Sequence, residues 1–134
     1  MGALGSGPFE NDDACDWLTE LWEIPNITFI QRSLKLTLVD HLYLGAPKGS
    51  VLIAACEVVA EGLGKGSADL PRQAKNWVLR HPRLPYSDVA PLAIRAAKRV
   101  LGTRSELNAL WNEDQKLHAA WKAGVLELVG RLST

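Results

Sequence analysis

Apolar residues in this 134-residue chain recur at helical spacing along nearly its whole length. The first stripe is Ala14, Trp17, Leu18, Leu21 and Trp22, at i, i+3, i+4, i+7 and i+8, which marks one face of an amphipathic helix. Asn11, Asp12 and Asp13 stand where a helix start needs acceptors for free N–H groups, so the helix is predicted to begin near Asn11, with Phe9 packed beneath it as a staple. Pro25 closes it and Asn26 can cap a second. From Ile27 through Leu44 the stripe Ile27, Ile30, Leu34, Leu38 and Leu42 is helical, although Leu34, Leu36 and Leu38 also alternate as in a strand; the length of the segment favours a helix.

Gly45, Ala46 and Pro47 break that pattern. A third helix, from about Pro47 to Leu63, carries Val51, Leu52, Ala55, Val58, Val59 and Leu63 on its main face. Ile53, Ala54 and Cys56 extend the apolar surface nearly all round, so this helix should be central and the most buried. After the link GLGKGSADLP, Pro71 opens a short fourth helix with Ala74, Trp77 and Val78 that must end before Pro82. Ser87 or Asp88 is the expected cap of a fifth helix bearing Val89, Leu92, Ala93, Ala96, Ala97, Val100 and Leu101, with Gly102 as its C-cap. Thr103 and Glu106 have capping-box spacing for a sixth segment with Leu107, Leu110 and Trp111, which Asn112 to Asp114 interrupt. Leu117, Ala120, Trp121, Val125, Leu128, Val129 and Leu132 form the last stripe. The expectation is a compact all-α bundle of six to seven helices in one domain, 1–134, with a glycine-rich tail over 1–10 packing on or near it. No solenoid repeat is visible.

Composition fits that picture. With 47% hydrophobic and 22% charged residues and five tryptophans, the chain reads as globular, and its length is sufficient to bury a core. No apolar run reaches the ~18 residues of a membrane helix, and no basic n-region with an apolar h-region marks a secretory signal. A cytoplasmic protein with no membrane association is expected. The start MGALGS fits the myristoylation pattern at Gly2 and Ser6, which any short glycine-rich N-terminus matches easily. Cys15 and Cys56 are expected to be reduced and packed in the core, with no disulfide, metal or other cofactor.

The zero net charge conceals a segregation. Residues 1–24 carry Glu10, Asp12, Asp13, Asp16, Glu20 and Glu23 and no base, a net −6; residues 65–104 carry a net +7, from Lys65, Arg72, Lys75, Arg80, Arg83, Arg95, Lys98, Arg99 and Arg104 against Asp69 and Asp88. Either these are solvated surfaces that partly neutralise one another where the first and fifth helices meet, or the acidic face engages a basic partner. The second reading places the binding residues at Asp12, Asp13, Asp16 and Glu20, with the protein acting as a non-enzymatic binding module. An immunity or antitoxin-like protein blocking a basic toxin, such as a nuclease with a cationic active site, would use such a face.

Two other classes have candidate residues. Asp12, Asp13 and Asp16 have the one-turn spacing to share Mg²⁺ or Ca²⁺, but helix-start acids explain them better. Asp40, His41 and Glu57 offer acid–base groups for a small enzyme; Glu57 and Glu61 fall one turn apart on the polar side of the third helix, so Glu57 is expected to be exposed. For nucleic acid, Arg72, Lys75, Arg80, Arg83, Arg95, Lys98 and Arg99 offer a basic region over 72–99. The neutral whole chain and the absence of a helix-turn-helix, zinc or RNA-recognition signature make that partner unlike this chain. The glycines before Phe9 are no phosphate loop, because no strand precedes them and no Gly-Lys-Ser/Thr follows.

The pattern of Met1, Gly2, Gly5, Gly7, Phe9, Asn11 and Asp12 resembles the start of the bacterial domain-of-unknown-function family 4259. AACEVVAEGL, VLGTRSELNALW and a final helix with one tryptophan are similar as well, so the resemblance covers most of the chain. Leu4 stands where the family has tryptophan. The resemblance implies a short single-domain bacterial protein and a fold, and it brings no activity and no catalytic residues.

Overall fold

The computed structural model describes residues 7–38 and 43–133. Among these residues there are seven helices and no strand: α1 (Asp12–Glu23), α2 (Ile27–Leu38), α3 (Ala46–Gly62), α4 (Arg72–Arg80), α5 (Tyr86–Val100), α6 (Glu106–Trp111) and α7 (Gln115–Ser133). An isolated β-bridge pairs Leu44 with Ser105.

Helix α3 is the axis of the molecule and packs against each of the other six. Residues 52–60 are buried without interruption, as expected of a helix apolar all round. Small residues on both sides let α3 and α5 approach closely: Ala54 and Ala55 on the first, Ala93, Ala96 and Ala97 on the second, all fully buried. Within this seam the Cys56 thiol donates to the Ala93 carbonyl at 3.2 Å. At its end the Tyr86 ring lies so close over Gly62 that a β-carbon there would collide with it.

Local chemistry sets most boundaries. Asn11 caps α1 by accepting from Ala14 N–H at 2.8 Å, and Asn26 caps α2 by accepting from Phe29 N–H at 2.8 Å. Asp114 accepts from Lys116 N–H and Leu117 N–H at the start of α7. Phe9 packs on the core from a turn in which Glu10 N–H donates to the Gly7 carbonyl.

Long-range packing overrides the local signal in other places. Helix α5 begins at Tyr86 after Pro85 with no side-chain cap, in place of Ser87 or Asp88. Tyr86 is fixed there by its ring on Gly62 and by its hydroxyl, which donates to the His81 carbonyl at 2.7 Å. The C-cap of α5 is Leu101, and Gly102 does not take positive φ, which among the described residues only Gly64 does. Thr103 and Glu106 form no capping box. Ser105 caps α6 instead, and the Glu106 carboxylate accepts from Ala46 N–H at 2.6 Å, capping α3, whose own N-cap is Gly45. Cys15 is exposed and not in the core, and Leu117 and Ala120 on α7 are exposed as well. No helix among the described residues is long and apolar enough to cross a membrane.

Candidate functional site

Helix α1 divides into two arcs. Ala14, Trp17, Leu18 and Leu21 are buried, and the Trp17 indole donates to Ser33 Oγ at 2.9 Å while stacking on Phe29. On the other side, Asp12, Asp13, Asp16, Glu20 and Glu23 are all exposed. At about 100° per residue these five carboxylates occupy roughly 100° of arc. Asp12 and Asp13 lie in the first turn, where the macrodipole favours acids. Glu20 and Glu23 lie in the last turn, where it disfavours them, and no base is present there to compensate.

None of the candidate binding residues Asp12, Asp13, Asp16 and Glu20 forms an ion pair with a described residue. Helix α1 packs mainly on α3 and α4. The base that reaches α1 is Arg80 of α4, and its guanidinium sits 5.3 Å over the half-buried Trp22 ring, not on a carboxylate. Of the basic residues over 72–99, Arg72, Lys75 and Arg80 lie on α4, which packs on α3 and α1, Arg83 lies in the link after it, and Arg95, Lys98 and Arg99 lie on α5, which packs on α3, α2 and α7.

At the start of α1 the acidic face runs into a cleft. A hollow of about 290 Å³ is bounded by Asn11 and Asp13 of α1, Ser50, Ile53 and Glu57 of α3, Leu107, Leu110 and Trp111 of α6, and Trp121, Gly124, Val125 and Arg131 of α7. Gly7, Pro8, Ser67 and Asp69 complete one side and also border a neighbouring hollow of about 470 Å³ that reaches Phe9, Glu10, Leu70 and Pro71. Trp111 and Trp121, both buried, contribute to the wall of the first hollow. His118 braces this wall by a 2.7 Å hydrogen bond to Asn108.

Glu57 lies at the floor and is buried, contrary to the exposed position that its helical register predicts. Arg131 of α7 binds it through both terminal nitrogens, Nη1 to Oε1 at 3.0 Å and Nη2 to Oε2 at 3.2 Å. The same guanidinium donates from Nε to Glu127 at 2.7 Å and from Nη1 to the Lys65 carbonyl at 3.1 Å. Burial raises the Glu57 carboxyl above the ordinary glutamate range, and the hydrogen bonds and charge of Arg131 hold it partly down. Burial lowers the guanidinium, and its bonds to Glu57 and Glu127 more than offset that. Two signals for this pair stand in the sequence: Glu57 is the one charge between Leu52 and Ala60, and Arg131 falls between the buried Leu128 and Leu132. Periodicity could not join them, because they are 74 residues apart.

The other members of the acid–base reading, Asp40 and His41, lie outside the described residues. Among the described residues no three His, Cys, Asp or Glu side chains gather as metal ligands, so Asp12, Asp13 and Asp16 do not form such a group. Burial, and after it the charge of Glu57, raises the Cys56 thiol far above its usual range, which leaves it almost no nucleophilic thiolate.

No curated protein and no solved structure matches the chain. The family model described as "Domain of unknown function (DUF4259)" matches residues 2–124, and the chain belongs to that family.

Proposed function

We propose that this protein is a non-enzymatic binding module whose acidic α1 face, Asp12, Asp13, Asp16 and Glu20, engages a basic protein partner. An immunity or antitoxin-like role, in which the face covers the cationic site of a toxin in the cytoplasm of a bacterium, is the biological form of this reading. The observation that carries it is the charge at the far end of α1. Helix-start stabilisation explains Asp12 and Asp13, but Glu20 and Glu23 stand in the last turn against the dipole and pair with no described base. Helix stability does not account for these two acids, and a surface that attracts a basic partner by its field does. The buried acid of the enzyme reading speaks against catalysis, because Glu57 is already bound at both oxygens by Arg131.

The test is affinity capture from the native cell with the natural chain and with Asp12→Asn/Asp13→Asn/Asp16→Asn/Glu20→Gln. One basic protein, captured at low salt by the first and lost by the second, is the expected result. Capture of the same protein by both forms would show that the acids serve only the helix and its solubility.

A further inference from the structure

The cleft beside α1 has a definite chemical preference. Its described lining holds four carboxylates, Asp13, Glu57, Asp69 and Glu127, against one guanidinium, Arg131. Arg131 is committed to Glu57, Glu127 and the Lys65 carbonyl, so an anionic ligand would find no available cation there. Asp13 and Asp69 are exposed and pair with no described base, which leaves two carboxylates at the mouth to meet a positive charge. Trp111 and Trp121, with Leu107, Leu110 and Val125, give the cleft an apolar lining that suits an aliphatic stem ending in a cation.

We infer that this cleft receives one lysine or arginine side chain of the basic protein partner. Its ammonium or guanidinium lies at Asp13 and Asp69, and its methylene stem lies along Trp111 and Trp121. The inference rests on the preceding reading and adds to it the pocket in which the partner is anchored. Asp13 belongs to both surfaces, so the acidic face of α1 leads continuously into the cleft. The size of the hollow, about 290 Å³, is at the lower end of small-ligand pockets and suits a single side chain. Partner interfaces of this kind place their largest energies where one basic or aromatic group fills a desolvated pocket.

Gly124 supplies a clean test. It lines the cleft from the middle of α7, and a β-carbon there meets nothing within 4 Å, so Gly124→Leu adds bulk at the lining with no collision at its β-carbon. The probes are Nα-acetyl-arginine methylamide and Nα-acetyl-lysine methylamide, with the norleucine analogue as the uncharged comparison, titrated into the full chain labelled with ¹⁵N. The indole N–H resonances of Trp111 and Trp121, assigned by single Trp→Phe changes, should shift saturably with both cations and not with norleucine. Gly124→Leu, and separately Asp13→Asn/Asp69→Asn, should each weaken that binding by roughly tenfold. Should Gly124→Leu fail to fold by circular dichroism, the exposed Asp13 and Asp69 variants carry the same comparison.

Absence of a shift, or an equal shift with norleucine, overturns the inference. With the captured partner, binding that survives Gly124→Leu overturns it too and leaves the acidic-face reading intact. Asp12→Asn/Asp16→Asn/Glu20→Gln tests that reading alone, because none of these three residues lines the cleft.

Discussion

The clearest consequences at the residue scale belong to Glu57 and Arg131. A buried ion pair is costly to break from one side, since the remaining charge has no solvent to stabilise it. Arg131→Met should therefore destabilise the protein by about 3 kcal/mol at neutral pH, and Glu57→Leu/Arg131→Met should recover most of the loss, both read from urea denaturation. The pH dependence has a definite sign. The folded-state carboxyl is raised, so its contribution to stability is fully present below the ordinary glutamate value of about 4.3 and is lost as pH rises through the folded value. Without Arg131 that value rises further, so the deficit of Arg131→Met should shrink when the melts are repeated near pH 5. An unchanged deficit would mean that Glu57 is not the group left uncompensated. The cysteines differ as sharply: a maleimide should label Cys15 in the native chain and reach Cys56 only after denaturation, as counted by intact mass.

Two glycines separate close packing from open space at the scale of the helix. Gly62 lies beneath the Tyr86 ring, so Gly62→Ala should cost about 1–3 kcal/mol by forcing α3 and α5 apart. A β-carbon at Gly124, in mid-helix, meets nothing within 4 Å, so Gly124→Ala should gain about 0.5–1 kcal/mol from helix propensity alone. Equal effects in denaturant melts would contradict the packing described. Elements whose ends are set by their own residues were legible in the sequence. Asn11, Asn26, Pro71 and Pro82 mark α1, α2 and α4 because a cap or a ring acts within one turn. The entry to α5 and the use of Glu106 were not, because Tyr86 answers to Gly62 and Glu106 to Ala46, partners that lie far along the chain. Glu57 was legible as a candidate acid, but its burial and its pairing with Arg131 were not, since the face that reads as polar on α3 is covered by α7.

At the scale of the whole molecule, a neutral chain carries its acids and bases in different places, and the acids of α1 lie together on one exposed helical arc. The segregation is visible in the sequence, and its surface meaning depends on which helices meet: α1 turns to α3 and α4, so the bases of α5 do not quench it. A surface of this kind acts through long-range attraction, which salt screens over about 10 Å at 0.1 M. The most direct measurement is calorimetric titration of the captured basic partner into the natural chain and into Asp12→Asn/Asp13→Asn/Asp16→Asn/Glu20→Gln at about 50 and 200 mM salt. The acidic face as the binding surface predicts roughly tenfold weaker binding of the natural chain at the higher salt, and a variant that binds weakly and nearly independently of salt. Equal affinity of the two chains at both salt concentrations would contradict it.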